Sequence, residues 1–132
     1  REEILAMRAK MRAEHPDRGE RLNLKNARGG IIDLEFIVQY LVLAHSKTHP
    51  ALVRNAGNFA LLHLAGELGL VSQQEAAEAA QAYLAFRARQ HLARNNNEKE
   101  TMIGKGDLRP ERDAVMRLWA TVFGQDGRAD SK

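Results

Sequence analysis

The chain has no cysteine, so disulfides and thiolate metal sites are excluded. Of its five histidines (His15, His45, His49, His63 and His91) only His45 and His49 stand at H-x-x-x-H spacing, with no further ligand spaced to complete a set, and a metal site is not expected. No apolar run reaches the ~18 residues of a membrane span. Aromatic residues make up only 5% of the chain, and the seven present sit mostly at core spacings. A single-stranded nucleic-acid binder needs exposed aromatics interleaved with basic groups, so nucleic acid is not an expected partner. Excess charge is also small, at +3, well short of a nucleic-acid-binding tail. What remains is 44% apolar and 28% charged over 132 residues, enough for one globular domain with a true core.

Periodicity and punctuation give helices and almost no strand signal. Ile4, Met7 and Met11 form a stripe over residues 2–14, a lead-in helix that His15-Pro16 should end. This opening segment has neither an initiator Met nor an N-cap residue ahead of its first turn. It reads as the start of a fragment cut from a longer polypeptide. A connector rich in charge and glycine follows, in which "NLK" has the makings of a short extended piece. A second helix is expected over residues 31–46, with Pro50 closing the next turn. A third fits residues 58–68, with Asn58 as N-cap and Gly69 just past its end.

"SQQE" from Ser72 to Glu75 is a capping box that opens a long fourth helix over residues 73–94. "NNNEKETMIGKGDLR" has no periodicity and reads as a long loop. Pro110 suits the first turn of a last helix with the stripe Val115, Leu118, Trp119, Val122 and Phe123. Gly124 ends it, and residues 125–132 read as a frayed tail. The expected fold is all-α: an antiparallel, up-and-down bundle with a four-helix core over residues 31–124 and about five helices in all. The expected core includes Leu34, Phe36, Val38, Leu41, Leu62, Tyr83, Phe86, Leu118 and Trp119.

The second helix carries the most information. Ile31, Leu34, Val38 and Leu41 share one side, while Phe36, Tyr40 and Leu43 lie on another. So wide an apolar surface marks a central helix. Glu35 and Gln39, four apart, form a narrow polar stripe, and Asp33 points elsewhere. Buried polar groups need partners. Those of the stripe are either basic residues of the bundle, such as Arg87, or groups on a neighbouring domain. The Gly29-Gly30 pair ahead of the helix also has two readings. Free helix N–H groups beside Lys25 and Arg28 would make an anion or phosphate site. Alternatively, the glycines make a sharp turn that another backbone approaches, while Asp33 offsets the helix dipole. Neither "RGG" nor "MIGKGD" is a Walker loop.

The run "NLKNARGGIIDLEFIVQYLVL" resembles the K-x-G-x-GG-I-x-D-I-E-F-x-x-Q-Y-L signature of the bacterial glutamine synthetase adenylyltransferase family. "MRAKMR", "NFALLHLAGELGLV", "AYLAFRARQHLARN" and "VMRLWATVFG" resemble further segments of that family, so the likeness runs over residues 1–124. Ala27 stands where the family's first glycine often sits.

The resemblance implies the helical domain that follows the C-terminal, AMP-attaching nucleotidyltransferase domain of a cytoplasmic enzyme. It implies that catalytic domain and glutamine synthetase as partners, the PII signal protein as regulator, and ATP and Mg²⁺ as ligands of the whole enzyme. No residue is identifiable as a PII or glutamine site. The family's metal-binding G-S-x-x-D-x-D strand motif is absent. Asp33 and Glu35 are no substitute, because two residues apart on a helix they diverge by about 200°. No catalytic residue, metal ligand or cofactor is therefore expected in this chain, which should be inactive alone. Lys25, Arg28, Gly29 and Gly30 are the candidate cleft or phosphate contacts. Asp33, Glu35, Gln39 and Arg87 are the candidate interface or internal polar network. The competing reading is a free-standing helical module that binds protein or RNA.

Overall fold

The computed structural model describes residues 1–14, 21–53 and 57–124. Among them run α1 (Glu2–Glu14), α2 (Ile31–His45), α3 (Asn58–Glu67), α4 (Gln73–Asn95) and α5 (Arg109–Phe123), with a 3-10 helix at Pro50–Val53. The all-helical architecture is as the apolar periodicity requires. His15-Pro16 and the tail from residue 125 lie outside the described residues.

A two-stranded ribbon is the addition. β1 (Arg21–Asn23) and β2 (Met102–Gly104) pair antiparallel, with Leu22 opposite Ile103. β2 lies within the stretch read as loop, and β1 ends at the "NLK" piece. Three residues are too few to display a period-2 alternation, so the strands leave little mark in the sequence. Their central residues are nonetheless buried, since Leu22 and Ile103 both join the core.

α2 is the central helix, with Ile31, Ile32, Leu34, Ile37, Val38 and Leu41 all buried. α3, α4 and α5 pack around it. α4 presents Ala76, Ala79, Ala80 and Ala82 inward with Phe86, so the neighbouring helices approach its backbone closely. Tyr40 meets Phe123 at 5.1 Å between ring centroids, and Trp119 meets Phe123 at 4.4 Å, joining α2 to α5. Leu34, Val38, Leu41, Leu62, Phe86, Leu118 and Trp119 are buried as expected. Phe36 and Tyr83 are half-buried against that core.

The helix ends follow local chemistry with two corrections. α3 is capped by Gly57 with no side-chain bond, and Asn58 is its first residue. At its other end Gly69 has φ +78°, its N–H donates to Gly66 O, and Leu70 N–H donates to Ala65 O. That is a Schellman ending, which favours glycine. Ser72 Oγ accepts from Glu75 N–H at 3.2 Å, the first half of the capping box. The second half is spent elsewhere: the Glu75 carboxylate accepts from the Thr121 hydroxyl at 2.8 Å, tying α4 to α5.

α1 departs furthest from expectation. Met7 is exposed, while Arg8 is buried. The helix rests on the bundle through Ile4, Leu5 and Arg8, so of the expected stripe Ile4 packs on the core, Met11 is half-buried and Met7 faces outward. The reason is a charge on α2, described next.

Candidate functional site

The segment from Asn23 to Asp33 folds upon itself by hydrogen bonds that the sequence dictates locally. Asn23 Oδ1 accepts from Lys25 N–H at 3.0 Å, a side-chain turn typical of Asn. Asn23 O accepts from Asn26 and Ala27 N–H. Leu24 N–H donates to Thr101 O at 2.9 Å, prolonging the ribbon. The chain then doubles back: Gly30 N–H donates to Ala27 O, Ile31 N–H to Leu24 O and Ile32 N–H to Lys25 O, all within 3.1 Å. Gly29 N–H donates to Asp33 Oδ2 at 2.7 Å.

The amides that one of the two readings left for an anion are therefore used. The backbone part of the phosphate-loop reading is corrected: Gly29 and Gly30 offer no free helix N–H. They are required by close approach instead. Gly29 has φ +73°, and a Cβ there would stand 2.5 Å from Arg112 O. A Cβ on Gly30 would stand 2.1 Å from Leu24 O.

Three buried charged side chains lock this turn. Asp33, 4% exposed, pairs through Oδ1 with Nε of Arg8, itself 2% exposed. Arg8 Nη2 donates to Asn26 O at 2.7 Å. From the other side Arg112, 6% exposed, donates through Nε to Arg28 O at 3.2 Å and through Nη1 to Lys105 O at 3.3 Å. α1 and α5 thus each send one arginine to hold the backbone between them. Asp33 belongs to a polar network, as expected, but its partners are Arg8 and Gly29.

Glu35, Gln39 and Arg87 are not in that network. Glu35 and Gln39 are exposed, and water can satisfy them. Arg87 is exposed and its bond runs to Gln90 Oε1 on its own helix, at 3.4 Å. Of the two sources of partners considered for the stripe, the internal one through Arg87 is not made, because the stripe is where the central helix reaches solvent.

Lys25 is exposed and Arg28 half-buried. Lys25 lines a polar cavity of about 330 Å³ between the turn, α1, α4 and the segment before β2.

Arg8 and Arg112 were missed by sequence reasoning. Each stands on an apolar stripe, Arg8 four residues after Ile4 and Arg112 three before Val115, and that placement is the available signal. Among the described residues no group of three or more His, Asp or Glu is placed to hold a metal ion. Asp33 has both oxygens engaged, and Glu35 stands alone on an exposed face. Among the described residues the acids do not gather into a magnesium site. Nor do exposed aromatics form a stacking platform: all seven are buried or half-buried.

The family model described as GlnD PII-uridylyltransferase matches residues 5–119. The bifunctional glutamine synthetase adenylyltransferase/adenylyl-removing enzyme of Bordetella bronchiseptica is 47% identical over 96% of this chain. That of Chromobacterium violaceum is 48% identical over 95% of it, and that of Nitrosomonas europaea 43% identical over 92%. The matched parts are only 13%, 14% and 15% of those proteins, so the chain spans about a seventh of the length of the curated relatives it matches. The chain belongs to the GlnD PII-uridylyltransferase family, beside the bacterial glutamine synthetase adenylyltransferases.

Proposed function

We propose that this chain is the helical accessory domain of a glutamine synthetase adenylyltransferase, packed beside the nucleotidyltransferase domain of the same polypeptide. The observation that carries the reading is the pairing of high identity along nearly the whole chain with a small share of each relative's length. A chain so related, whose described acids form no metal site, serves the reaction by placement. The whole enzyme moves AMP from ATP to a tyrosine of glutamine synthetase in the cytoplasm, under control of the PII protein. ATP and magnesium belong to the other domain, since no carboxylate cluster for them stands among the described residues.

The locked turn supports a role at the shared cleft. It presents the Lys25 ammonium on a backbone that two buried arginines hold in place. Exposed Glu35 and Gln39 on α2 are free to meet groups of the neighbouring domain. Preorganised side chains lose little freedom when they engage, and that is the contribution such a domain makes.

The test is transfer of labelled AMP from ATP to glutamine synthetase. The whole polypeptide should transfer, the same polypeptide lacking this domain should lose transfer, and this chain alone should transfer none. Steady adenylylation by the isolated chain, or full transfer without it, overturns the reading.

A further inference from the structure

We propose that the polar cavity beside the turn binds a small phosphate-bearing anion. The cavity of about 330 Å³ is lined by two lysines from distant parts of the chain, Lys25 on the turn and Lys99 after α4. Neither has an ion-pair partner among the described residues. One carboxylate, Glu100, also lines the space, so the charge of the lining is positive by one. Asn26, Gln90 and Thr101 add neutral hydrogen-bonding groups around the same space. Two like charges at one cavity repel each other until an anion lies between them. A phosphate carries up to two negative charges and three acceptor oxygens, which suits two ammonium groups and amide donors together.

Size and backing argue further. Ligand sites for small molecules begin at about 300 Å³, larger than a bare phosphate needs. Met11 and Ile32 supply an apolar wall for an organic part. The wall at Asn26 is fixed from behind, because Arg8 Nη2 holds its carbonyl at 2.7 Å. The other terminal nitrogen of that guanidinium, Nη1, is buried with no hydrogen-bond partner. That donor does not line the cavity, so the site rests on the cavity's own lining. The site differs from a helix N-terminal anion hole, since the α2 amides are already used.

The test reads this chain alone and so stands apart from adenylyl transfer. Inorganic phosphate and glycerol 3-phosphate are titrated into it at constant ionic strength, with chloride as control, and amide NMR shifts are followed. Saturable shifts are expected at Lys25, Asn26, Gln90, Lys99 and Thr101, and none that saturate with chloride. Lys25→Ala and Lys99→Ala should each weaken binding about tenfold, the loss of one charge-assisted contact. Glu100→Gln should tighten it, because it removes the opposing charge. Lys47→Ala, at the far end of α2, should change nothing. Tighter binding of glycerol 3-phosphate places the organic part on the Met11–Ile32 wall, and equal binding assigns recognition to the phosphate alone. All three lysines and Glu100 are exposed, so the variants keep the fold, and unchanged melting temperatures verify it. Equal shifts with chloride, or wild-type affinity in the Lys25→Ala/Lys99→Ala double variant, overturns the proposal.

Discussion

At its N-terminal end α2 is held by charge and backbone. Asp33 is buried against Arg8 and takes the Gly29 amide, while Gly30 lies against Leu24 O. At its C-terminal end the same helix is held by shape alone. Leu41 is buried, Tyr40 rests on Phe123, and the last turn opens to solvent at Leu43, 66% exposed. The difference matters because the two kinds of restraint fail differently. An apolar contact weakens in proportion to the surface removed. A buried ion pair that loses one member strands the other in a medium that cannot solvate it. The polar end therefore specifies one geometry, and the apolar end supplies graded cohesion.

The largest effect is expected where backbone meets backbone. Gly30→Val must push its Cβ out of Leu24 O, which would separate the turn from the start of α2. A loss beyond ~4 kcal/mol is expected, the range reserved for severe lesions, seen as failure to give a cooperative urea transition. A cooperative transition near wild type would show that the turn can relax around a side chain.

Asp33→Ala comes next. It leaves the Arg8 charge buried without its counter-ion, and the expected loss is ~3–5 kcal/mol. The paired replacement Arg8→Met with Asp33→Leu should recover much of that loss, because two apolar groups bury without penalty. Urea midpoints of the three proteins separate the cases. If the double variant is as unstable as Asp33→Ala, the pair is not the lock described above.

Leu41→Ala probes the apolar end, with an expected loss of ~2–5 kcal/mol. Leu41 stands one turn from the exposed end of the helix, so the surroundings can close on part of the cavity and the lower half of the range applies. A loss below ~0.5 kcal/mol, the size of an ordinary surface change, would mean that the C-terminal end is not packed as described.

The two ends also differed in how far the sequence disclosed them. The apolar end was legible, because Leu34, Val38 and Leu41 repeat at helical spacing and spacing is all that shape requires. α5 was equally plain from Pro110, its stripe and Gly124. At the polar end the glycine pair marked the place but not the job. The carbonyl oxygens that exclude a Cβ there belong to Leu24 and Arg112, and Arg112 lies 84 residues from its bonded partner Arg28. Arg8 was hidden for the same reason: its partner Asp33 is 25 residues away. An arginine on an apolar stripe reads as a surface residue until a carboxylate is known to wait beneath it. Glu35 and Gln39 were legible only as a stripe in want of partners, and their exposure removes the internal alternative while leaving the neighbouring domain.

That exposure yields the smallest expected effect on stability and the sharpest test of placement. Glu35 and Gln39 are exposed side chains with no partner in the bundle core, so Glu35→Ala/Gln39→Ala should change stability by less than ~0.5 kcal/mol. Alanine also favours a helix slightly more than either residue, which offsets what little is lost. In the whole enzyme the same change is expected to cut AMP transfer at least tenfold, about 1.4 kcal/mol in transition-state terms, if the stripe meets the catalytic domain. The two measurements must be made together on correctly folded protein. Transfer lost with the melting temperature unchanged assigns the stripe to the domain interface. Transfer and stability both unchanged would make it a solvated face and leave the turn, with its lysine, as the only part of α2's surroundings that serves the cleft. Stability lost by more than ~1 kcal/mol would contradict the exposure of these residues and, with it, the contrast between a charged end that is locked and a polar stripe that is open.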